Sequence, residues 1–140
     1  MPSLHPYLRF DGDCAAAFEF YRSVFGTEFR AINRYSEMPP DAGVSAEFAD
    51  RVMHVSLPIA DGQVLMGSDS PPGAPATRFG DSVGIMIAAP TTEEGRRIFE
   101  ALAEGGTVTQ PYERQFWGDD YGALTDRFGI NWMVDHTPEA

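Results

Sequence analysis

The chain has 140 residues, and 43% of them are apolar, so it can fold as one domain or as two small modules that share a core. Its formal net charge is −11, and all ten basic residues are arginine. The absence of lysine from the sequence excludes a Schiff-base lysine and a phosphate loop that depends on lysine. So acidic a surface repels nucleic acid backbones and anionic lipids, and we expect neither nucleic acid nor membrane partners.

The remaining bulk features indicate a cytoplasmic protein without a structural metal. Cys14 is the single cysteine, so no internal disulfide can form, as is usual in a reducing compartment. No apolar run reaches about 18 residues, and the N-terminal stretch MPSLHPYLRF lacks the pattern of a secretory signal. Three histidines and one cysteine cannot build a structural zinc cluster.

The first half of the chain predicts a strand, a helix and three further strands. Apolar side chains recur on one face of the helix, with Asp13 as its N-terminal cap and Gly26 as its stop. The stretch MPPDAG begins a mobile loop of roughly a dozen residues, and the Asp-Gly pair at 61–62 signals a hairpin. The predicted strands are Leu4–Phe10, Thr27–Tyr35, Arg51–Ile59 and Gln63–Asp69, and the apolar helix face holds Cys14, Ala17, Phe18, Tyr21, Val24 and Phe25.

The second half repeats this order after a linker rich in proline and glycine, Ser70–Gly80. Thr91 and Glu94 have the spacing of a capping box at the start of its helix, and Phe128-Gly129 turns the last hairpin. The predicted strands are Ser82–Ala89, Thr107–Gln115, Tyr121–Arg127 and Ile130–His136, and the helix runs to Glu104 through Ile98, Phe99 and Leu102.

Two copies of this order amount to an internal duplication of about 60 residues. ADGQVLMGSD aligns with RFGINWMVD, which places Gly62 over Gly129 and Met66 over Met133. We therefore predict an α+β fold in which two tandem βαβββ modules form a curved mixed sheet with the helices on its outer face. The predicted limits within this one structural domain are 1–69 for the first module, 70–80 for the linker and 81–140 for the second module. The modules can be swapped between the subunits of a dimer.

Strand alternation separates an apolar face under the helices from a mixed face on the other side. Leu4, Leu8 and Phe10 belong to the apolar face, as do Met53, Val55, Leu57, Ile59, Leu65, Ile130, Trp132 and Val134. The mixed face is suited to line a cleft for a small molecule. Its candidate ligand-binding residues are His5, Tyr7, Arg9, His54, Ser56, Met66, Ser68, Asn131 and Met133, with Phe116, Trp117 and Tyr121 at the rim of the cleft.

Several stretches of sequence carry a family likeness: HPYLRFDGDCAAAFEFYRSVFG, VMHVSLPI with LMGSD, FWGDDYG, and DRFGINWMV. Together with the double βαβββ order they resemble the PhnB-like branch of the vicinal oxygen chelate superfamily, over nearly the whole chain. That superfamily also holds glyoxalase I, extradiol dioxygenases and the bleomycin and fosfomycin resistance proteins. The resemblance implies a homodimer in which the partner completes the cleft.

Some members of this branch are labelled 3-demethylubiquinone 3-methyltransferases. A methyl-donor site of the usual kind needs a glycine-rich turn between a strand and a helix, followed by an acidic residue. The sequence contains no such turn, so we do not expect this activity.

Metal-using members of the superfamily place one ligand each on the first, fourth, fifth and eighth strands. The resemblance puts His5 at the first position, and it puts Met66 and Met133 where the fourth and eighth strands carry carboxylates. The fifth-strand position falls near Ser82 or Gly84. Because Mg, Mn, Fe and Ni sites need oxygen and imidazole donors, we expect no cofactor, with His5 as the one remaining candidate metal ligand.

Each candidate residue also has a plainer interpretation. His5 and His54 are candidate catalytic residues, a general base and its helper, or they bond to backbone and support the sheet. Arg9 is a clamp for an anionic group or a solvated strand-end residue. Met66 and Met133 contact a ligand through adaptable side chains or fill an empty cleft.

The remaining residues favour structural roles. Cys14 is interpreted as a small packing residue and Trp132 as core, while Asp119 and Asp120 diverge in a turn and form no catalytic carboxylate pair. The aromatic residues Phe116, Trp117 and Tyr121 form either a wall and lid of the cleft or a structural plug at the module junction.

Three functions stay open at this point. The first is a metal-free small-molecule binding protein with an amphipathic cleft, of the resistance or sequestration type. The second is a lyase, isomerase or dioxygenase-like metalloenzyme with displaced ligands, such as His5 and His54 with Asp69 or Asp135. The third is a structural homodimer without a ligand. The sequence does not decide whether a reaction is catalysed.

Overall fold

The computed structural model describes residues 1–139, apart from the side chain of Pro40. Contacts divide the chain into two compact units, Met1–Arg78 and a second unit that begins at Phe79. Each unit contains one four-stranded sheet, and the strand order of the first sheet is repeated in the second. The predicted α+β fold of two βαβββ modules is therefore confirmed.

In the first unit the strands stand in the order β1-β4-β3-β2. Strand β1 runs parallel to β4, and the other neighbouring strands are antiparallel. This pairing fits the chain order, because a helix crosses over between β1 and the rest of the sheet. The elements are β1 (Tyr7–Phe10), α1 (Cys14–Phe25), β2 (Ala31–Arg34), α2 (Ala46–Ala49), β3 (Val52–Ala60) and β4 (Gln63–Asp69).

Helix α1 packs on β3 and β4 through one apolar side. Gly67 in β4 makes the close approach feasible, since a Cβ there would lie 2.6 Å from Cε1 of Phe18 and 2.9 Å from the carbonyl oxygen of Leu8. The buried residues of α1 are Cys14, Ala17, Phe18, Phe20, Tyr21 and Val24. Phe20 thus joins the predicted helix face, and Phe25, which was predicted to belong to it, is only half-buried.

The N-terminus of α1 is held by a residue distant in sequence rather than by its own cap. Asp13 stands at the cap position but forms no side-chain capping hydrogen bond, so the predicted role of Asp13 is wrong. Instead, Oδ1 of the fully buried Asp69 accepts hydrogen bonds from the backbone N–H groups of Gly12 (2.7 Å) and Cys14 (3.1 Å). Its Oδ2 accepts from the N–H of Val52 (2.9 Å). One carboxylate therefore joins the start of α1, the start of β3 and the end of β4.

Two local predictions for the first unit need correction. Leu4 is 96% exposed, because β1 begins only at Tyr7; Pro6 just before it has no N–H to add to the ladder. The segment predicted as a mobile loop contains helical structure, with 3-10 turns at Tyr35–Glu37 and Pro40–Ala42 ahead of α2.

The predicted linker is fastened to the first unit for most of its length. The backbone N–H of Thr77 donates to Oδ2 of Asp11 at 2.8 Å, and the hydroxyls of Ser70 and Thr77 lie 2.8 Å apart. These contacts explain why the first unit extends to Arg78.

The second unit has the order β5-β8-β7-β6, with β5 parallel to β8. The hydroxyl of Thr91 accepts from the N–H of Glu94 (3.0 Å), which confirms the predicted start of α3, although the Glu94 carboxylate pairs with Arg97. Trp132 is 1% exposed, as predicted for a core residue. The elements are β5 (Ile85–Ala88), α3 (Thr92–Ala103), β6 (Thr107–Arg114), β7 (Asp120–Thr125) and β8 (Asn131–His136).

The last hairpin of the second unit is organised by a buried aspartate. Oδ1 of Asp126 accepts from the N–H groups of Phe128 (2.8 Å) and Ile130 (3.1 Å), and its Oδ2 accepts from Nε1 of Trp132 (2.8 Å). Gly129 takes a positive φ of 95° in the turn, a conformation that glycine adopts at little cost. The segment from Asp126 to Trp132 is therefore structural, as its sequence indicated.

None of the helices within residues 1–139 has both the length and the apolar composition that a membrane-spanning segment requires.

Candidate functional site

The face of the first sheet opposite α1 carries a compact set of polar and soft apolar side chains. We call it the helix-free face, and its members are Tyr7, Arg9, His54, Ser56, Met66 and Ser68. Strand register sets Tyr7 beside Met66 and Arg9 beside Ser68 across β1 and β4. It sets Met66 beside Ser56 across β4 and β3. Since Gly67 points towards α1, its neighbours in β4 point away from the helix.

An aromatic pair spans this face. The rings of Tyr7 in β1 and His54 in β3 are stacked, with centroids 6.0 Å apart and an angle of 28° between the planes. The pair therefore crosses β4, the strand that lies between them. Tyr7 keeps 48% of its surface exposed, so one ring of the pair is open to a bound molecule.

Two serines of the same face are buried without visible partners. Ser56 is 4% exposed and Ser68 is 5% exposed, yet within residues 1–139 neither hydroxyl forms a hydrogen bond. A hydroxyl without a protein partner keeps its capacity to donate and to accept a hydrogen bond. The hydroxyls of Ser56 and Ser68 are therefore two places on this face where a polar ligand group can form a hydrogen bond.

His5 lies just before β1 and bonds to the neighbouring strand. Its Nδ1 accepts from the backbone N–H of Val64 at 3.3 Å, and its Nε2 lies 3.1 Å from the hydroxyl of Ser3. Val64 pairs with Pro58 in the β3–β4 ladder, and the ring of His5 is the acceptor for its backbone N–H. The plainer interpretation of His5, a histidine bonded to backbone, describes these contacts.

The side chains at the family's ligand positions do not fit the metal site that the resemblance implies. Met66 is a half-buried thioether at the fourth-strand position, and hard divalent ions prefer oxygen and imidazole donors. No group of three histidine, cysteine, aspartate or glutamate side chains within the described chain is arranged to hold a metal ion. Asp69, one of the alternative acids, is fully buried and has both oxygens bonded to backbone N–H groups.

The second unit presents a more apolar counterpart of this face. Met133 pairs with Met86 across β8 and β5, and with Ala123 across β8 and β7. The methyl group of Met133 lies 3.0 Å from the place a Cβ would take at Gly84. Gly84 precedes Met86 by two residues, as His5 precedes Tyr7, so Met133 covers the position equivalent to His5.

Asn131 is fully engaged in structure, which argues against its predicted ligand contact. Its Nδ2 donates to the carbonyl oxygens of Gly80 (2.7 Å) and Val83 (3.3 Å), and its Oδ1 accepts from the hydroxyl of Thr125 (2.9 Å). The amide thus fastens the segment before β5 to β8. No pattern in the sequence indicates this role of Asn131, because the acceptors are backbone groups about 50 residues away.

The aromatic cluster lies at the turn between β6 and β7. Phe116 is 98% exposed and Trp117 is 50% exposed. Their rings meet edge to face at 5.0 Å, and Trp117 lies 6.1 Å from Tyr121. Phe116 is therefore not packed in the core of its own unit.

Asp119 and Asp120 have different surroundings, as their positions in a turn predicted. Asp120 is buried and accepts from Nε of Arg114 (2.8 Å) and from the hydroxyl of Thr92 (2.6 Å), and these two bonds lower the pKa of its carboxyl. Asp119 instead approaches Asp135. Burial, and then the negative charge of Asp119, raise the pKa of Asp135.

Cys14 has the properties of a core residue. It is completely buried, and burial raises the pKa of its thiol well above the usual range, with the charge of Asp69 adding to the effect. A reactive cysteine needs exposure and an easily formed thiolate, so Cys14 is a packing residue, as the sequence indicated.

Two features of the site region escaped the sequence interpretation. Asp119 and Asp135 meet at the open end of the β7–β8 hairpin, and because they are 16 residues apart in the sequence, no local spacing indicates the pair. The close contact at Gly67 did have a signal, because a glycine inside a strand often marks a close backbone approach.

Comparisons with known proteins agree with this geometry. Residues 3–134 match the family model described as the Glyoxalase/Bleomycin resistance protein/Dioxygenase superfamily. Protein YjdN of Escherichia coli strain K12 is 33% identical over 140 residues, covering 94% of this chain and 93% of YjdN.

Two solved structures share the fold over almost the full length. Protein PA1353 from Pseudomonas aeruginosa superposes with a TM-score of 0.87 at 33% identity, covering 99% of this chain and 100% of PA1353. The PhnB protein of Bacillus cereus, a candidate 3-demethylubiquinone-9 3-methyltransferase, gives a TM-score of 0.79 at 26% identity, with 97% and 100% coverage.

Proposed function

We propose that this chain, which belongs to the glyoxalase/bleomycin resistance protein/dioxygenase superfamily, is a small-molecule binding protein that works without a metal ion. The observation that carries the proposal is the helix-free face of the first unit. It combines a partly exposed aromatic pair, a methionine and two serines whose hydroxyls form no hydrogen bond within the described residues. A mainly apolar surface with a few well-placed polar groups is typical of ligand sites.

The proposal of metal-free binding rests on donor chemistry. Met66 and Met133 stand where the resemblance places carboxylates, and the Nδ1 of His5 already accepts a backbone hydrogen bond. A thioether is a poor ligand for the hard cations that a lyase or dioxygenase centre uses. The methyltransferase activity suggested for the Bacillus cereus protein is not carried over, because this sequence lacks a methyl-donor turn.

We also propose that the protein acts in the cytoplasm as a homodimer. The support is the nearly full exposure of Phe116 and the half-exposure of Trp117, since exposed apolar clusters often mark interfaces. A second copy of the chain would remove these rings from water. Sedimentation equilibrium is the direct measurement, and a monomer at every concentration tested would contradict this part of the proposal.

The binding function is tested by thermal melts with aromatic, quinone-like and phosphonate compounds. A ligand at a hundredfold excess over its Kd stabilises the folded state by about 2.7 kcal/mol, so we expect at least one compound to raise Tm. Met66→Ala should weaken that compound's binding, because its side chain lies on the helix-free face. Met38→Ala, in the segment before α2, is the matched control and should bind normally.

The same preparation separates the rival functions. Stoichiometric metal in protein purified without chelator, lost in a His5→Ala variant, would establish the metalloenzyme and contradict our proposal. No stabilisation by any compound, together with normal dimerisation, would instead favour a structural homodimer without a ligand.

A further inference from the structure

Arg9 is an arginine without a carboxylate partner in a chain that has 21 acidic residues and 10 basic ones. Within the described part of the chain its side chain forms no ion pair, hydrogen bond or ring contact. Most other arginines are engaged. Arg22, Arg97 and Arg114 pair with carboxylates, Arg34 donates to a backbone carbonyl, and Arg51, Arg96 and Arg127 lie over aromatic rings.

The position of Arg9 distinguishes it from Arg30 and Arg78, which also lack a side-chain partner among residues 1–139. Arg78 lies in an exposed loop segment, and Arg30 precedes β2. Arg9 lies inside β1, on the helix-free face. It is the one arginine of that set.

Two hydrogen-bonding groups stand in line with Arg9. Ser68 in β4 is paired with Arg9 in β1. Val55 in β3 is paired with Gly67 in β4, so the next step of the same register sets His54 opposite Ser68. Neighbouring strands lie about 4.7–4.9 Å apart, so side chains at paired positions on one face of the sheet are neighbours. Neither the Ser68 hydroxyl nor the ring nitrogens of His54 bond to another described residue. Arg9, Ser68 and His54 therefore form a row across β1, β4 and β3, and each has a group that can donate a hydrogen bond to an oxygen atom.

The adjacent row is of a different kind. Tyr7, Met66 and Ser56 follow one another across β1, β4 and β3. The Tyr7 ring and the Met66 thioether suit a flat apolar body. Glu37, which follows β2, accepts hydrogen bonds from the N–H of Arg34 and from Asn33.

We infer that the ligand of the helix-free face is an amphipathic anion. Its carboxylate- or phosphate-like group is bound by Arg9, Ser68 and His54, and its flat apolar body lies on Tyr7 and Met66. This inference rests on the proposed binding function and adds the chemical class of the ligand. A guanidinium that binds oxyanions through two parallel hydrogen bonds supplies selectivity on an otherwise acidic surface that disfavours anions.

The test compares ligands that differ only in charge. Benzoate and naphthoate are titrated by calorimetry against benzamide and naphthamide, and phenyl phosphate distinguishes phosphate from carboxylate preference. We expect the anions to bind at least about tenfold more tightly than the amides. Arg9→Gln should abolish this difference, Arg9→Lys should retain part of it, and the matched control Arg78→Gln should leave it unchanged.

Every outcome decides one of the two ideas. If acids and amides bind equally to the native protein, or if Arg9→Gln keeps the preference for acids, the anion inference is wrong while the binding function stands. If neither class binds while another compound of the melt screen raises Tm, the anion inference is wrong and the binding function stands; if no compound in either experiment binds, the proposed function itself fails. Circular dichroism and ligand-free melts establish that Arg9→Gln is folded, and the Arg9→Lys variant keeps the test decisive if it is not.

Discussion

Gly67 controls how closely helix α1 approaches the first sheet. An added Cβ would meet the Phe18 ring at 2.6 Å and the backbone oxygen of Leu8 at 2.9 Å. Because a backbone atom cannot swing aside, we expect Gly67→Ala to destabilise the protein by about 1–3 kcal/mol. Urea unfolding measures this loss. Gly80→Ala, where nothing lies within 4 Å of the added Cβ, is the control, and equal effects at both positions would contradict the packing argument.

At the scale of elements, two acids, Asp119 and Asp135, lie close together where the start of β7 meets the end of β8. The hydroxyl of Thr137 lies 3.2 Å from Oδ2 of Asp119 and 3.5 Å from Oδ2 of Asp135, so one hydroxyl serves two carboxyl groups. The raised pKa of Asp135 in the folded state means that the protonated form is favoured there. Folding is therefore penalised by this group above its unfolded pKa of 3.8, and the penalty is absent at lower pH.

We accordingly expect Asp135→Asn to stabilise the protein near neutral pH, to lose this advantage as the pH falls through the raised folded-state pKa of Asp135, and to have none left below 3.8. Unfolding free energies of the two proteins across that range measure the difference. Asp61→Asn, at an exposed hairpin turn, is the control and should show little effect. An advantage of Asp135→Asn that grows on acidification would contradict the assignment, since the sign of the linkage would be reversed.

The element scale also shows where sequence reasoning succeeds. Alternation identified the helix-side residues Leu57 and Trp132, which are 0% and 1% exposed, because a strand's period of two is a local property. The alternation likewise selected Ser56, Ser68 and His54 for the mixed face. The engaged amide of Asn131 and the remote capping by Asp69 could not be predicted, since their partners are brought together only by the complete fold.

The whole molecule carries a large excess of negative charge, with a formal net charge of −11. Mutual repulsion of acids disfavours the compact state, and the Debye length falls from about 30 Å at 0.01 M salt to about 8 Å at 0.15 M. We therefore expect Tm to rise over this range of sodium chloride. Asp81→Arg combined with Glu139→Arg, both at exposed positions, should reduce the effect. A salt response identical in the native and double-variant proteins would show that screening of net charge is not its cause.

The contrast between the two helix starts has a consequence for the order in which the chain folds. The side chain of Thr91 accepts a hydrogen bond from the N–H of Glu94, only three residues onward. The N-terminus of α3 is therefore capped by a contact within its own first turn. The equivalent bonds for α1 come from Asp69, 55 and 57 residues away along the chain. During synthesis, the hydrogen bonds from the start of α1 to Asp69 can form only after β4 has left the ribosome. Contacts this distant in sequence form slowly. The start of α1 is therefore stabilised later in folding than the start of α3, whose capping contact is local.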